Sequence, residues 1–357
     1  MLVTFFILAL RFLAIDAAAT PHFWLYEAQV ATPPALLPVT NITRFANLKF
    51  ENLAIRQSGE ILTTNTNPAP KLWQVDPLRI LPPTLIYTGQ NGTGLAGIAE
   101  GKPDIFYVAG GYINMTSATT TVPDSYSITE VDMRNVSVLP DGNLTKQPIV
   151  KRVANLTNAA LLNGIAFAGK DSDNLLVADS FRGLIWNVNV SSGAVGVTLN
   201  DTTTKGNVLA SNSSFTGVNG VQLHNSTLYW TVTGTNLMYK VPVHGNGTIP
   251  QGEKPSLLTS NITCDDFTFD NAGNAYVAGP LDIITKVTPD GKQQVIAGIY
   301  NVTASNSNST LAGPTSVKFG RLASDKWSLY ITTNGAIGNP NPNGTEGVSR
   351  IDLPALG

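Results

Sequence analysis

Short apolar runs bounded by turn residues recur along the whole chain and predict β-strands. Six copies of one unit align with each other, and each copy contains two apolar strands in succession. The six first strands are predicted at residues 51–55, 96–100, 163–167, 219–223, 265–269 and 315–319. The six second strands are predicted at residues 61–64, 105–109, 175–178, 228–231, 275–278 and 329–332.

A third apolar strand follows in every unit, for example at residues 184–188, 237–241 and 283–287. The turn at residues 289–291 then leads to a fourth, outer strand at 293–296. Beyond the first residues of the chain, no long stretch has helical periodicity. Four short strands in each of six units predict an all-β fold, a six-bladed β-propeller with four-stranded antiparallel blades.

The sixth unit has no fourth strand of its own, because its third strand at residues 351–353 lies close to the end of the sequence. Residues 37–45 form a spare segment before the first unit. We expect this segment to pair outside the blade that contains Thr315. Closure of the ring by an N-terminal strand would remove the open strand edges.

The N-terminal segment has the pattern of a secretory signal peptide. An apolar stretch at residues 2–15 leads into Ala17, Ala18 and Ala19, which form a small-residue cleavage site. About 14 apolar residues are fewer than the roughly 20 that span a membrane. We therefore expect a signal peptide at 1–19, a single propeller domain at 20–357, a secreted or secretory-pathway location and no membrane span.

Fifteen Asn-x-Ser/Thr sequons favour the same compartment and predict a heavily N-glycosylated protein. They lie at Asn41, Asn91, Asn114, Asn135, Asn143, Asn155, Asn189, Asn200, Asn212, Asn225, Asn246, Asn261, Asn301, Asn308 and Asn343. Each glycosylated asparagine must lie on the surface of the folded domain.

Composition excludes several classes of function. The net charge is −2 and there is no basic run, which argues against a nucleic-acid partner. Cys264 is the single cysteine, so no intrachain disulfide can form. His22, His224 and His244 are poorly placed for a common site, which argues against a Ser-His-Asp hydrolase and a zinc centre.

The strand pattern predicts a polar site at one mouth of the propeller channel. In each blade the first strand lines the channel and the second runs antiparallel to it, so the start of one meets the end of the other. The residues at the six starts, here called the crown, are Glu51, Ala96, Asn163, Asn219, Asp265 and Thr315. Four of them present strong oxygen ligands, and two of these are carboxylates.

Several side chains near the ends of second strands are candidates for substrate binding together with Thr315. Asp179 is expected to reach the crown, or alternatively to cap a turn. Trp230, Phe181 and Tyr112 would form a stacking wall for an apolar substrate, or alternatively pack between blades.

The crown residues resemble a known family. The order Glu51, Asn163-Gly164, Asn219-Gly220 and Asp265 resembles the SMP-30/gluconolactonase family of six-bladed propellers. The resemblance implies that Glu51, Asn219 and Asp265 hold a divalent cation and that Asn163 faces the substrate. In the family's lactonases the residue that matches Asp265 is the general base. Ala96 and Thr315 depart from a fully polar crown.

Longer motifs resemble a narrower group within that family. They are LNGI at 162–165, LVADS at 176–180, DDF at 265–267, NAYVA at 274–278 and AGPTS at 312–316. They are similar to secreted fungal propellers from natural-product gene clusters. That group includes hetero-Diels–Alderases, which join a tropolone-derived quinone methide to a terpene.

Three functions follow as alternatives. A hetero-Diels–Alderase of terpenoid secondary metabolism would bind apolar small molecules and need no cofactor, with Asn163 or Asn219 as hydrogen-bond donor and Asp265 or Glu51 as acid or base. A lactonase would require Ca²⁺ on Glu51, Asn219 and Asp265. A non-catalytic extracellular binding propeller would use the same mouth.

Overall fold

The computed structural model describes residues 35–90, 92–113, 122, 124–206, 216–305, 311–336 and 346–354. These residues form six four-stranded antiparallel sheets arranged in a ring, which is a β-propeller. The predicted signal peptide at 1–19 lies outside the described residues. The same is true of the sequons at Asn91, Asn114, Asn212, Asn308 and Asn343.

The first three blades follow one another along the chain after strand β1 (Val39–Arg44). Blade one contains β2 (Lys49–Ile55), β3 (Ile61–Asn67), β4 (Lys71–Val75) and β5 (Thr84–Thr88). Blade two contains β6 (Gly94–Glu100), β7 (Ile105–Gly111), β8 (Ser127–Asp132) and β9 (Ile149–Asn155). Blade three contains β10 (Leu162–Phe167), β11 (Asn174–Asp179), β12 (Leu184–Asn189) and β13 (Val195–Leu199).

The last three blades repeat the order. Blade four contains β14 (Val218–His224), β15 (Thr227–Val232), β16 (Leu237–Pro242) and β17 (Ser256–Ser260). Blade five contains β18 (Phe267–Phe269), β19 (Ala275–Gly279), β20 (Ile283–Val287) and β21 (Gln293–Gly298). Blade six contains β22 (Pro314–Phe319), β23 (Ser328–Thr333) and β24 (Gly347–Asp352), with β1 as its outer strand. Short 3₁₀ helices occur at Thr202–Thr204, Thr233–Thr235 and Val302–Ser305.

The predicted closure of the ring is confirmed. Strand β1 pairs antiparallel with β24, with Val39 opposite Ile351 and Arg44 opposite Gly347. The Arg44 guanidinium adds a hydrogen bond from Nη2 to Ser349 Oγ at 3.1 Å. The N-terminal strand therefore supplies the fourth strand that blade six lacks, and the unpaired edge of β24 is covered.

Apolar side chains fill the spaces between neighbouring blades. Six buried clusters each join two adjacent blades, including blade six with blade one. Burial of each large aliphatic side chain contributes about 1.5–3 kcal/mol. Cys264 is a free thiol within the cluster between blades four and five, and burial raises its pKa. Within the described residues, no helix has the length and apolar character needed to cross a membrane.

Ten sequon asparagines lie in the described residues, and none of them is buried. Asn189 is half-buried, and the other nine are exposed. These nine are Asn41, Asn135, Asn143, Asn155, Asn200, Asn225, Asn246, Asn261 and Asn301. Surface exposure is a condition for glycan attachment, and these positions meet it. Glycosylation at them stays a prediction.

Candidate functional site

The starts of the six first strands meet at one end of the channel, because each of these strands contacts the first strands of the neighbouring blades. The four polar crown residues proposed as catalytic are all buried there. Their exposed fractions are 7% for Glu51, 4% for Asn163, 4% for Asn219 and 8% for Asp265. These side chains are therefore largely withdrawn from water, which strengthens every electrostatic interaction among them.

A β-bulge lies at the crown in five blades. The pairing register between first and second strands shifts between Leu162 and Ile165 in blade three, and at equivalent places in blades one, two, four and six. In blade five the regular ladder begins only at Phe267, two residues after the predicted start. Bulges re-aim side chains, so a crown residue and the residue after it need not face opposite sides of the blade.

The residues that follow the crown form a second ring with two unlike halves. Its members are Asn52, Gly97, Gly164, Gly220, Asp266 and Ser316. On the glycine half, adjacent backbones approach closely. A Cβ on Gly164 would lie 2.7 Å from Asn219 O, and one on Gly220 would lie 2.6 Å from Asp266 Oδ1. The Asn-Gly pairs are thus explained by close strand packing, since a larger residue would clash.

The polar half of the second ring fills the centre of the channel. Asn52 Nδ2 donates to Asp266 Oδ2 at 2.9 Å, and Ser316 Oγ donates to Asn52 Oδ1 at 3.0 Å. These three side chains come from blades one, five and six and are at most 2% exposed. A connected buried network of this kind fixes the relative positions of the three blades.

Two further polar residues contact Asp266 from deeper in the channel. Gln222 Nε2 donates to Asp266 Oδ1 at 3.1 Å, and Lys318 Nζ lies 3.5 Å from Oδ2. The sequence motifs did not point to a role for these five residues, which are Asp266, Asn52, Ser316, Gln222 and Lys318. Side chains two residues apart on a strand lie on the same face, so counting in steps of two from the second ring instead of from the crown would have identified them.

The environment of the two crown carboxyls favours their protonated forms. Burial, followed by repulsion from Asp266, raises the pKa of Glu51 from 4.5 to about 7. Burial, followed by repulsion from Glu51 and Asp266, holds the pKa of Asp265 well above its ordinary value, although the Asn219 side chain opposes this shift. Near neutral pH the pair can therefore offer both a carboxylic acid and a carboxylate.

Two buried oxygens at the crown have no hydrogen-bond partner among the described residues. They are Asn219 Oδ1 and Asp265 Oδ1. The other end of the Asn219 amide is engaged, since its Nδ2 donates to Thr233 Oγ1 at 2.9 Å. Buried acceptors without a donor are rare in folded proteins, so these two atoms are the natural place for a ligand donor, a proton or a cation.

The donor set suits Ca²⁺ in kind, because carboxylate and amide oxygens are its usual protein ligands. Glu51, Asn219 and Asp265 would supply three of the six to eight oxygens that Ca²⁺ takes, and water or substrate would supply the rest. Across the part of the chain that the structure describes, no group of three His, Cys, Asp or Glu residues is arranged to hold a metal. Calcium at the crown therefore stays a prediction.

Three of the predicted substrate-binding residues lie inside the fold. Asp179 is fully buried and accepts from the backbone N–H groups of Ala160 and Leu161, each at 3.0 Å, which is a turn-capping role. Trp230 is fully buried between blades three and four, and its Nε1 donates to a backbone carbonyl. Thr315 is 1% exposed and bonds to Thr332 Oγ1 at 3.0 Å.

The other two aromatic candidates are half-buried. Phe181 packs against a small cluster of Ala96, Ile113 and Leu161, which places its ring beside the apolar side of the crown. The backbone carbonyl of Tyr112 accepts from the Tyr126 hydroxyl at 2.7 Å. Of the predicted aromatic wall, Phe181 is the ring that the described residues place against a crown residue.

Comparison with known proteins identifies two relatives of the same kind. A protein of Phoma sp. assigned as a hetero-Diels–Alderase is 27% identical over 304 residues, covering 80% of this chain and 83% of that protein. A protein of Sarocladium schorii with the same assignment is 22% identical over 312 residues, covering 79% and 74%. No protein-family model matches the chain.

Solved structures show the same fold at low sequence identity. A regucalcin from Agrobacterium tumefaciens, described as a calcium-binding protein, has a TM-score of 0.56 at 15% identity, covering 88% of this chain and 93% of that one. A structure assigned as a gluconolactonase has a TM-score of 0.55 at 12% identity, covering 89% and 93%. The predicted resemblance to hetero-Diels–Alderases is thereby confirmed in sequence, and the resemblance to SMP-30/gluconolactonase-like propellers is confirmed in fold.

Proposed function

We propose that this chain is a pericyclic cyclase of the hetero-Diels–Alderase type and that the reaction takes place at the crown. The assignment of the two relatives supports the reaction class. One structural observation supports the location: Glu51 and Asp265 are buried near each other with raised pKa values. Perturbed carboxyls that interact in a channel are typical of functional sites.

The finer substrate assignment follows the resemblance to fungal natural-product propellers. We propose a tropolone-derived quinone methide as the heterodiene and a terpene alkene as its partner. Both are largely apolar, and the half-buried Phe181 ring beside Ala96 offers an apolar contact next to the acidic pair. Holding two reactants in contact can supply an effective molarity of roughly 10⁵ M or more.

The acidic pair fits the generation of the quinone methide from an alcohol precursor. A protonated carboxyl gives its proton to the leaving hydroxyl, the C–O bond breaks and water departs. A carboxylate takes the proton of the ring hydroxyl, whose oxygen becomes the carbonyl of the quinone methide. Asp265, whose pKa is raised by burial, is the proposed acid, and Glu51, whose pKa of about 7 leaves it partly ionised near neutral pH, is the proposed base.

The cycloaddition itself needs no proton transfer. One C–O bond and one C–C bond form between the heterodiene and the alkene. A hydrogen bond to the heterodiene oxygen withdraws electron density and favours this step. The carboxyl that holds the proton after water loss, or the Asn163 amide, can donate that bond. Asn163 Nδ2 now donates to Ser180 Oγ at 3.2 Å, which is a long and replaceable contact.

The test is a cycloaddition assay with purified protein, a quinone-methide precursor and a terpene alkene. We expect faster formation of the adduct than in buffer and enrichment of a single stereoisomer. A stereochemically mixed product at the buffer rate would overturn the proposal. Asp141→Asn, at an exposed loop position, provides a matched control for substitutions of the crown acids.

The unpartnered oxygens Asn219 Oδ1 and Asp265 Oδ1 favour a second candidate, a Ca²⁺-dependent lactonase. In that reaction the cation would polarise the lactone carbonyl while Asp265 acts as base towards water. A chelator separates the two functions. Lactone hydrolysis that is lost in EDTA and restored by Ca²⁺ supports the lactonase, whereas cycloaddition that is indifferent to EDTA supports the metal-free cyclase.

A further inference from the structure

At the end opposite the crown, the channel opens into a cavity lined by aromatic rings and cations. Its volume is about 400 Å³, and it is lined by the last residues of the first strands from all six blades. This volume lies in the range of about 300–1,000 Å³ that ligand pockets occupy. Here the cavity is called the far mouth, defined by Glu100, Phe167, Phe269, Lys318, Phe319 and Arg321.

Three phenylalanine rings line the far mouth, and each is held by a further ring. Phe167 packs edge-on against Tyr107 with ring centroids 5.3 Å apart, and Phe319 packs edge-on against Tyr276 at 5.3 Å. Phe269 stacks on His224 at 4.8 Å. The rings are thus fixed before any ligand arrives, which reduces the entropic cost of binding.

Two cations face the same cavity. Arg321 pairs with Glu100, and its Nη1 also donates to Ile55 O at 2.9 Å. Both of these contacts use Nη1, whereas a guanidinium has five N–H donors in a planar fork. Lys318 Nζ donates to Phe267 O at 3.1 Å, and its side chain is 18% exposed. Lys318 Nζ also lies 3.5 Å from Asp266 Oδ2, so each cation has one acidic partner and keeps further N–H donors that an anionic ligand can use.

The second ring separates the far mouth from the crown. Asn52, Asp266 and Ser316 are at most 2% exposed and hydrogen-bonded to each other across the channel. A ligand in the far mouth would therefore not contact Glu51 or Asp265. The far mouth is a site of its own and does not depend on the proposed reaction.

We propose that the far mouth binds an aromatic carboxylate, with its ring against the phenylalanine rings and its carboxylate on Arg321 and Lys318. Aromatic stacking supplies affinity for a planar ring. Charge-assisted hydrogen bonds from a guanidinium supply selectivity for the anion, because they are about twice as strong as neutral ones and can be bidentate.

Isothermal titration calorimetry with 2-naphthoate tests this site on the intact protein. We expect saturable binding that weakens at least tenfold in Arg321→Gln and in Lys318→Met, since a hydrogen bond to a charged group contributes about this much. Phe269→Leu should weaken it several-fold by removing ring stacking. Arg134→Gln, an exposed arginine in a surface ion pair, is the matched control and should bind like the parent protein.

The neutral isostere 2-naphthamide supplies the decisive comparison. We expect it to bind at least tenfold more weakly than 2-naphthoate. Equal binding of acid and amide, unchanged affinity in Arg321→Gln, or no binding at millimolar 2-naphthoate would each overturn the proposal. Arg321 is about one-third exposed at the rim, so its substitution keeps the test valid even where Lys318→Met fails to fold. Asp265→Asn should bind 2-naphthoate normally, which distinguishes failure here from failure of the proposed reaction.

Discussion

The two ends of the channel are built from the same six strands but present opposite kinds of chemistry. The crown contains buried oxygen groups, two of which have no partner in the described residues, and carboxyls with raised pKa values. The far mouth contains aromatic rings and paired cations around a cavity of about 400 Å³. The difference shows that a repeat sets where side chains project, whereas variation between copies decides the chemistry at each end.

The crown also differs from the far mouth in how its polar groups affect the stability of the folded protein. At the crown, like charges share a buried space, so folding must tolerate an unfavourable arrangement. At the far mouth, each cation has an acidic partner: Arg321 pairs with Glu100 near the surface, and Lys318 pairs with the buried Asp266. An unfavourable arrangement of buried polar groups, as at the crown, is typical of a functional site, where a bound ligand or proton completes the interactions.

The largest expected effect is the pH dependence of stability due to Glu51. Its pKa rises from 4.5 to about 7 on folding, so the folded state retains the proton in this window. Because the folded state then binds more protons than the unfolded state, the free energy of unfolding falls as pH rises from 4.5 to 7. The total fall is roughly 3 kcal/mol, from about 1.4 kcal/mol for each pKa unit.

Urea unfolding at pH 4.5 and pH 7 measures this fall, and Glu51→Gln should remove the part that Glu51 contributes, while Asp265 keeps its own contribution. Glu253→Gln, an exposed glutamate, is the control and should keep the parent pH dependence. Identical pH dependence in Glu51→Gln and the parent protein would mean that Glu51 is ionised in the folded state.

The next effect is on turnover. Asp265→Asn keeps the size and hydrogen-bonding capacity of the side chain and removes the acid. We expect cycloaddition to slow by roughly 10²-fold or more, the usual loss of general acid–base assistance. Asp290→Asn, on an exposed turn, should retain parent turnover. If the Asp265→Asn, Glu51→Gln double variant works as fast as the parent, the crown is not the catalytic centre.

The third effect tests the close packing beneath the crown. A Cβ on Gly220 would lie 2.6 Å from Asp266 Oδ1 and 2.7 Å from Asp266 Cα. Gly220→Ala should therefore lower the free energy of unfolding by about 2 kcal/mol, as overpacking usually does. Gly245→Ala, where an added Cβ meets no atom within 4 Å, is the matched control. Equal stability of the two variants would show that blade five moves freely to admit the methyl group.

The two ends of the channel also differ in how much of their structure the sequence could predict. Blade boundaries and closure were predictable because apolar runs and turn residues repeat with each blade. The strand start at Asp265 was placed two residues too early, because the regular ladder of blade five begins only at Phe267. The roles of Asp266 and Lys318 were missed because the alternation of side chains was counted from the crown and not from the residues that follow it. Trp230 packs between blades three and four and Asp179 caps a turn of its own blade, so the structure favours the alternative that the sequence offered for each residue.

The smallest effect concerns the rim of the far mouth. Arg321 is about one-third exposed and its partner Glu100 lies near the surface, so water screens the pair. Exposed ion pairs contribute about 0–1 kcal/mol, and Arg321→Gln should change the free energy of unfolding by no more than that.

Arg56 is the buried counterpart: it is 5% exposed, pairs with Asp104 at 2.9 Å and donates to Gln74 Oε1 at 3.0 Å. Arg56→Gln should cost about 3 kcal/mol or more, because it leaves several buried acceptors without donors. Urea unfolding of both variants measures the contrast, and a loss in Arg321→Gln as large as in Arg56→Gln would mean that the rim arginine holds the blades together instead of being available to a ligand.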